Sequence, residues 1–464
     1  MSTTAVLRLC ASSFIVLFTA AASASAQSMP FQFARQSNVP PQHEQPVPAP
    51  PQHAHPQPAP DAGAQHKHQP AASTLFSTRD AWSGTAWLPY VTPMYGFHGQ
   101  LAGWEVMLHG NLFLQLLHEH APEHRGATQA GSINWVMAMA RRELGGARLG
   151  LRGMMSLEPW TISGCGYPNL LATGEFCDGD TIHDRQHPHD LFMELAAEYD
   201  RPLFGTVRWA AYGGPVGEPA LGPPAFPHRI SAFPNPLSPI AHHWLDSTHI
   251  SYGVLTAGVY GPRWKVEGSV FNGREPDERR YDFDFAALDS VAGRLWFLPI
   301  PSVALQVSVG RLNEAEPSHV GGPPVDVDRF TTSAAYHRPF GAGHFWATTL
   351  AWGANRELGK TTDGFLAESA VSLSGGHTWF GRIEVNGKPA DDLHIHEFRQ
   401  VFTVAKVQGG YTRYFAPVRG LIPGIGATVS AALVPEALRP RYGGVGKGVG
   451  VFVTLRPPVH EMVQ

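Results

Sequence analysis

The chain has 464 residues, enough for one large domain or two ordinary ones, and only 16% of them are charged, for a formal net charge of -4. No basic domain or stripe stands out, which argues against nucleic acid as a partner. Gly (49), Pro (41) and Phe (25) are abundant, and the 24 histidines form local clusters.

The N-terminus reads as an export signal. Arg8 supplies a positive charge, residues 13–20 are mostly apolar, and Ala24-Ser25-Ala26 offers small residues for cleavage before Gln27. The apolar part is too short for a permanent membrane helix, and no later segment is a continuous apolar run of that length. A membrane location therefore implies strands. Cys10 precedes the apolar stretch, so it does not read as a lipid-attachment site. The expected division is a signal peptide at 1–26, a Pro/His-rich disordered periplasmic segment at 27–80 and a barrel domain at 81–464. The second part is Pro, Gln, Ala and His, with little to build a core. It carries His43, His53, His55, His66 and His68, either as incidental linker residues or as a loose metal-collecting tail.

The remaining chain alternates apolar and polar residues. From Trp104 to Leu116 one face reads Trp, Val, Leu, Gly, Leu, Leu, Leu, and the other Glu, Met, His, Asn, Phe, Gln. Period two means strands with one apolar and one polar side. The same alternation opposes Leu149 and Leu151 to Arg148 and Arg152, Leu195 to Glu194 and Glu198, and Val266 to Lys265 and Glu267. It also opposes Ile383 to Arg382 and Glu384. About sixteen such segments begin near Gly103, Gly131, Ala147, Asp190, Gly205, His249, Trp264, Asp289, Val303, Arg329, His344, Phe365, His377, Phe398, Gly424 and Val445. Short turns such as Gly145-Gly146 and Gly375-Gly376 alternate in strict order with long loops at 159–189, 214–248, 272–288 and 386–397. This is the layout of a transmembrane antiparallel β-barrel, with 14–18 strands, both termini on one side, and closure forced by the lipid. Tryptophans near segment ends, among them Trp135, Trp160, Trp296 and Trp379, are expected in interface girdles.

Cys165 and Cys177 are the cysteines left after signal cleavage. Close in sequence and in an oxidising compartment, they are expected to form a local disulfide contributing about 3 kcal/mol, the alternative being two free thiols that bind a metal.

The pattern from about 95 to 456 resembles the porin-like outer-membrane barrels. Residues 448–456, alternating and with Phe452 near the end, resemble their terminal strand. The resemblance implies outer-membrane lipid and the barrel-assembly machinery as partners, and a homotrimer as the assembly. In sixteen-stranded general porins the loop after the fifth strand folds into the lumen. Here that position is held by the Pro-rich residues 214–248. A His-bearing tail before a barrel is also similar to outer-membrane copper-resistance proteins, although Met29 stands almost alone where those tails are Met-rich.

Two function classes follow, and a third is weighed. Inward charges of alternating sign, Arg148 and Arg152, Glu194 and Glu198, Arg208, then Lys265 and Glu267, with Arg382 and Glu384 further on, either neutralise one another or line a narrow, gated pore for small solutes or ions. The histidine clusters point to copper or zinc: His118 and His120; His183, His187, His189 and Asp190; His242, His243 and His249; His394 and His396. Alternate residues of an extended segment point the same way, so His-x-His offers two imidazoles to one ion. For an enzyme, Ser247 near His249 and Asp184 near His187 are the candidate pairs, with no nucleophile elbow to support them.

Overall fold

The computed structural model describes residues 75–123, 125–316 and 323–460. The expected signal peptide and the tail histidines lie outside them. Sixteen antiparallel strands close into a barrel. They are β1 (Trp104–His120), β2 (Ala127–Leu144), β3 (Ala147–Met155), β4 (Phe192–Phe204), β5 (Val207–Val216), β6 (Val254–Tyr260), β7 (Trp264–Phe271) and β8 (Ser290–Phe297). The second half is β9 (Val303–Glu316), β10 (Val325–Pro339), β11 (Phe345–Glu357), β12 (Lys360–Leu373), β13 (His377–Pro389), β14 (Val401–Tyr414), β15 (Ile422–Leu433) and β16 (Gly446–Arg456).

The barrel closes where β16 meets β1, with Val451 opposite Leu116 and Val453 opposite Leu114. Below that seam the short strand Phe97–Leu101 takes over as partner of β1, and Met94 and Tyr95 pair with His460 and Val459. The two ends of the barrel chain are thus tied together at one rim.

Alternation decides the two faces. Leu114 is 55% exposed and Leu116 50%, while Gln115 between them is 7% exposed. Large apolar side chains in contiguous register, exposed outward on a closed sheet, form the belt of a membrane-spanning barrel. Trp135 and Trp296 depart from the girdle expectation, since both are buried inside. The loop alternation also has an exception. The connection of β11 to β12, on the long-loop side, is only Leu358-Gly359, both with positive φ (46° and 77°). Two left-handed residues fit a two-residue hairpin matched to strand twist, so no longer loop is required.

Three elements fill the interior. Residues 217–253, between β5 and β6, form an insert: every residue from 216 to 246 is buried. Between β3 and β4, a two-stranded hairpin of Tyr167–Cys177 and Asp180–Gln186 covers the long-loop end. A disulfide joins Cys165, just ahead of it, to Cys177 within it, with Cα atoms 5.7 Å apart. At the terminus end, residues 75–88 lie against the inner wall. Asp80 there pairs with Arg141 at 2.9 Å, and Arg152 donates to the Gly84 carbonyl at 2.7 Å.

Candidate functional site

The insert is held by polar bonds to the wall on several sides. Its seven prolines between 219 and 239 pre-set the backbone, and much of its hydrogen bonding is taken up by inward side chains. Ala220 N–H donates to Ser269 Oγ at 2.7 Å, and Gly222 N–H to Ser308 Oγ at 2.8 Å. Further round the wall, on β13, Arg382 donates to the Leu237 carbonyl at 2.8 Å and Glu384 accepts from Ala241 N–H at 2.9 Å, and Asn111 of β1 donates to the Phe233 carbonyl at 2.9 Å. Arg229 is the centre of this frame. It pairs with Asp246 inside the insert at 2.5 Å and with Glu368 of β12 at 2.7 Å, and Glu368 also pairs with Arg382 at 3.1 Å. Burial alone would raise the Asp246 carboxyl; Arg229, then His242, override it and hold it well below its ordinary value.

The expected lumen charges all lie in such networks. Arg152 pairs with Glu194 at 3.2 Å and Glu198 at 3.1 Å, on the neighbouring strand. Arg148 and Arg208 share Asp200. Lys265 pairs with Glu267 at 3.1 Å, and Glu267 with Arg294 at 2.9 Å. The mixed signs are therefore compensated in place. The cavities between insert, N-terminal segment and wall are small, about 80, 30 and 20 Å³.

The histidine clusters separate into three environments. His118 and His120 stand on the exposed, outward face of β1, with His118 bonded to Thr128 at 2.7 Å. His183 stacks on His394 at 4.4 Å outside the insert, His394 bonds Asp180 at 2.8 Å, and His396 is exposed beside it. The third environment is a buried nest that joins two sequence clusters. His187 and His189 come from the loop between β3 and β4, and His242, His243 and His249 from the insert. His187 lies 6.3 Å from His242, His242 5.1 Å from His249, and His189 5.4 Å from His249, measured between ring centres. Each ring has a carboxylate or carbonyl companion. His189 bonds Glu158 at 3.0 Å, His242 bonds Asp246 at 2.9 Å, and His187 Nε2 lies 3.1 Å from Glu175. Asp190 lies 3.6 Å from Arg280. Burial pushes His187, His242 and His249 below the ordinary imidazole value, well below for His187 and His249. These rings are neutral at pH 7, the state in which imidazole ligates a metal.

The pairs named for an enzyme are engaged elsewhere. Ser247 Oγ accepts from Arg329 at 2.8 Å, and His249 Nδ1 meets the Asp246 carbonyl at 2.8 Å. Asp184 accepts from Arg125 at 2.8 Å and from Leu171 N–H at 2.7 Å.

Sequence reasoning missed Arg229, Glu368, Glu275 and Glu316. Inward position in the strand alternation was the available signal for Glu368. Nothing local marks Glu275, which lies in a loop.

The fold is a closed sixteen-stranded antiparallel barrel with an insert after the fifth strand. No protein-family model and no curated protein sequence matches the chain. Among solved structures, OmpF of Salmonella typhi, in complex with daunomycin, aligns at 9% identity with a TM-score of 0.48, covering 78% of this chain and 100% of that one. An anion-selective porin from Comamonas acidovorans aligns at 11% identity and a TM-score of 0.44, covering 76% and 99%. OmpT of Vibrio cholerae aligns at 7% and 0.42, covering 78% and 100%.

Proposed function

We propose that this chain is a gated channel of a Gram-negative outer membrane for small solutes or ions, with both barrel termini on the periplasmic side. The observation that carries this reading is the insert. It crosses the lumen on ion pairs and hydrogen bonds to the wall, at Ser269 and Ser308 of β7 and β9, at Glu368, Arg382 and Glu384 of β12 and β13, and at Asn111 of β1. Bonds of this kind can be exchanged for water when the insert moves, so they suit a gate better than an apolar plug does. The compensated wall charges predict weak selectivity between anions and cations. Liposome swelling with small sugars and amino acids tests the reading. Uptake that increases when the insert is shortened supports a channel, and liposomes that stay tight with or without the insert contradict it.

A homotrimer belongs to the same reading. The mass of the detergent-solubilised protein decides it, three copies for and one copy against.

A second reading, handling of copper or zinc, is favoured by the buried nest. Two separate loops bring five neutral or carboxylate-paired imidazoles together where no such gathering is needed for a porin wall. Replacing His187 and His189 by Ala should remove bound metal in titration calorimetry; unchanged binding would sink that reading.

A further inference from the structure

At the long-loop end of the barrel, His243 of the insert meets two carboxylates from other parts of the chain. Glu275 lies in the loop after β7, and Glu316 is the last residue of β9. One ligating atom from each of the three lies within 4.8 Å of the others, and His243 Nδ1 is 3.0 Å from Glu275. They line a cavity of about 30 Å³, with Glu175, Glu357 and Asp392 also on its wall. That is room for a single water-sized occupant.

Two independent features point to a ligand there. The first is charge: five carboxylates converge on one small cavity, faced by Arg329 from β10. Glu175 is engaged by Arg280, and Lys360 lies toward Glu357. Like charges gathered in a desolvated space call for a cation or for protons. The second is His243 itself. Its side chain is 9% exposed, and its Nε2, against Gly174 on the cavity wall, has no hydrogen-bond partner. A Cβ on Gly174 would collide with the ring, and its φ of 115° is one that other residues rarely adopt. The glycine therefore leaves open the space that the imidazole occupies.

We propose that His243, Glu275 and Glu316 bind a divalent transition-metal ion that pins the insert to the barrel mouth. One imidazole nitrogen and two carboxylate oxygens match a zinc-type ion, which accepts both donors in a small coordination shell. Calcium would call for six to eight oxygens and a larger space. Because the three ligands sit on the insert, a rim loop and the wall, one ion joins three segments distant in sequence. Its effect on the gate rests on the channel reading above; its binding does not.

The test uses the full chain, refolded in detergent and stripped with a chelator, then titrated with Zn²⁺. Other histidines can also take zinc, so the measured quantity is the difference between variants. Glu316→Gln and Glu275→Gln, which keep size and shape, should each lose one equivalent of zinc or bind it at least tenfold more weakly, with the heat-modifiable mobility of the folded barrel unchanged. His394→Ala should keep that equivalent. Co²⁺ in place of Zn²⁺ gives visible absorption bands, and His243→Phe should lose the bands assigned to this site. Zinc stoichiometry and affinity unchanged in both Gln variants overturn the proposal, and so does Ca²⁺ binding tighter than Zn²⁺ at the same equivalent. If zinc binds as described but leaves conductance unchanged, the site stands and its link to the gate fails.

Discussion

Arg229 and Glu368 lie 139 residues apart in sequence and 2.7 Å apart in the barrel, each with 1% of its side chain exposed. One sits in the insert and the other on the wall of β12. A buried pair of this kind is costly to break, because the remaining partner keeps its charge without water. Arg229→Ala would leave Asp246 with His242 but without its guanidinium, and Glu368 with Arg382 and the Ser231 hydroxyl. The expected loss is about 3–5 kcal/mol, read as a lower midpoint of denaturant unfolding and as faster proteolytic cleavage within 217–253. Replacing Arg229 and Glu368 together by Met and Leu should cost less than Arg229→Ala alone. Equal or greater loss in the double variant would mean that the pair is not the hinge of the frame.

Acid should loosen the nest. The ordinary imidazole value is 6.5, and burial holds His249 well below it in the fold. Between those two values the unfolded chain binds a proton that the folded chain does not. The contribution is therefore complete above pH 6.5 and is lost as the pH falls, by about 1.4 kcal/mol per pH unit for a fully shifted group. His187 and His242 act in the same direction. His249→Phe should flatten the fall in melting temperature between pH 6.5 and 5. A slope as steep as the parent's would exclude His249 as a source.

The outer belt makes a separate prediction. Leu114 faces outward from β1 and pairs across the seam with Val453. Leu114→Arg should destabilise the barrel by about 2–4 kcal/mol in lipid if it lies near the bilayer midplane. The effect should shrink in detergent micelles, which adapt to a charge. A change of under 0.5 kcal/mol in vesicles would put this face outside the hydrocarbon.

The disulfide ties Cys165, just ahead of the hairpin at the long-loop end, to Cys177, the last residue of its first strand. Replacing Cys165 and Cys177 together by Ser opens a loop of sequence separation 12 and should cost about 3 kcal/mol. The loss should appear as exchange of the hairpin amides with little change in the barrel strands. Uniform loss across the barrel would contradict a local role.

Much of this fold is legible in the sequence because a barrel wall repeats a period of two. The start of β1 at Trp104, of β3 at Ala147, of β7 at Trp264 and of β13 at His377 falls at or beside the position that the alternation marks. Expectation slips where an interior element runs into a strand. Strand β6 begins at Val254 rather than His249, because the residues between still belong to the insert, where Ser251 pairs with Gly217. The histidines show the other limit. His118 and His120 share the face of Leu114 and Leu116, so strand parity alone puts them outward, whereas a His-x-His reading puts them at a site. The meeting of His187 with His242, and of His243 with Glu316, depends on how two long loops fold back into the lumen. Period-two patterning carries no information about that.

The central claim is that the 217–253 insert gates the barrel, and a reversible lock tests it most directly. Ser231 Oγ on the insert lies 2.7 Å from Thr349 Oγ1 on β11. In Ser231→Cys/Thr349→Cys, a disulfide would hold the insert against the wall. In planar bilayers under applied voltage, the oxidised variant should show few or no opening steps, and reductant should restore openings to the frequency of the parent chain treated in the same way. Opening steps equal in frequency and size before and after reduction, with the cross-link shown to be formed, would contradict the gate.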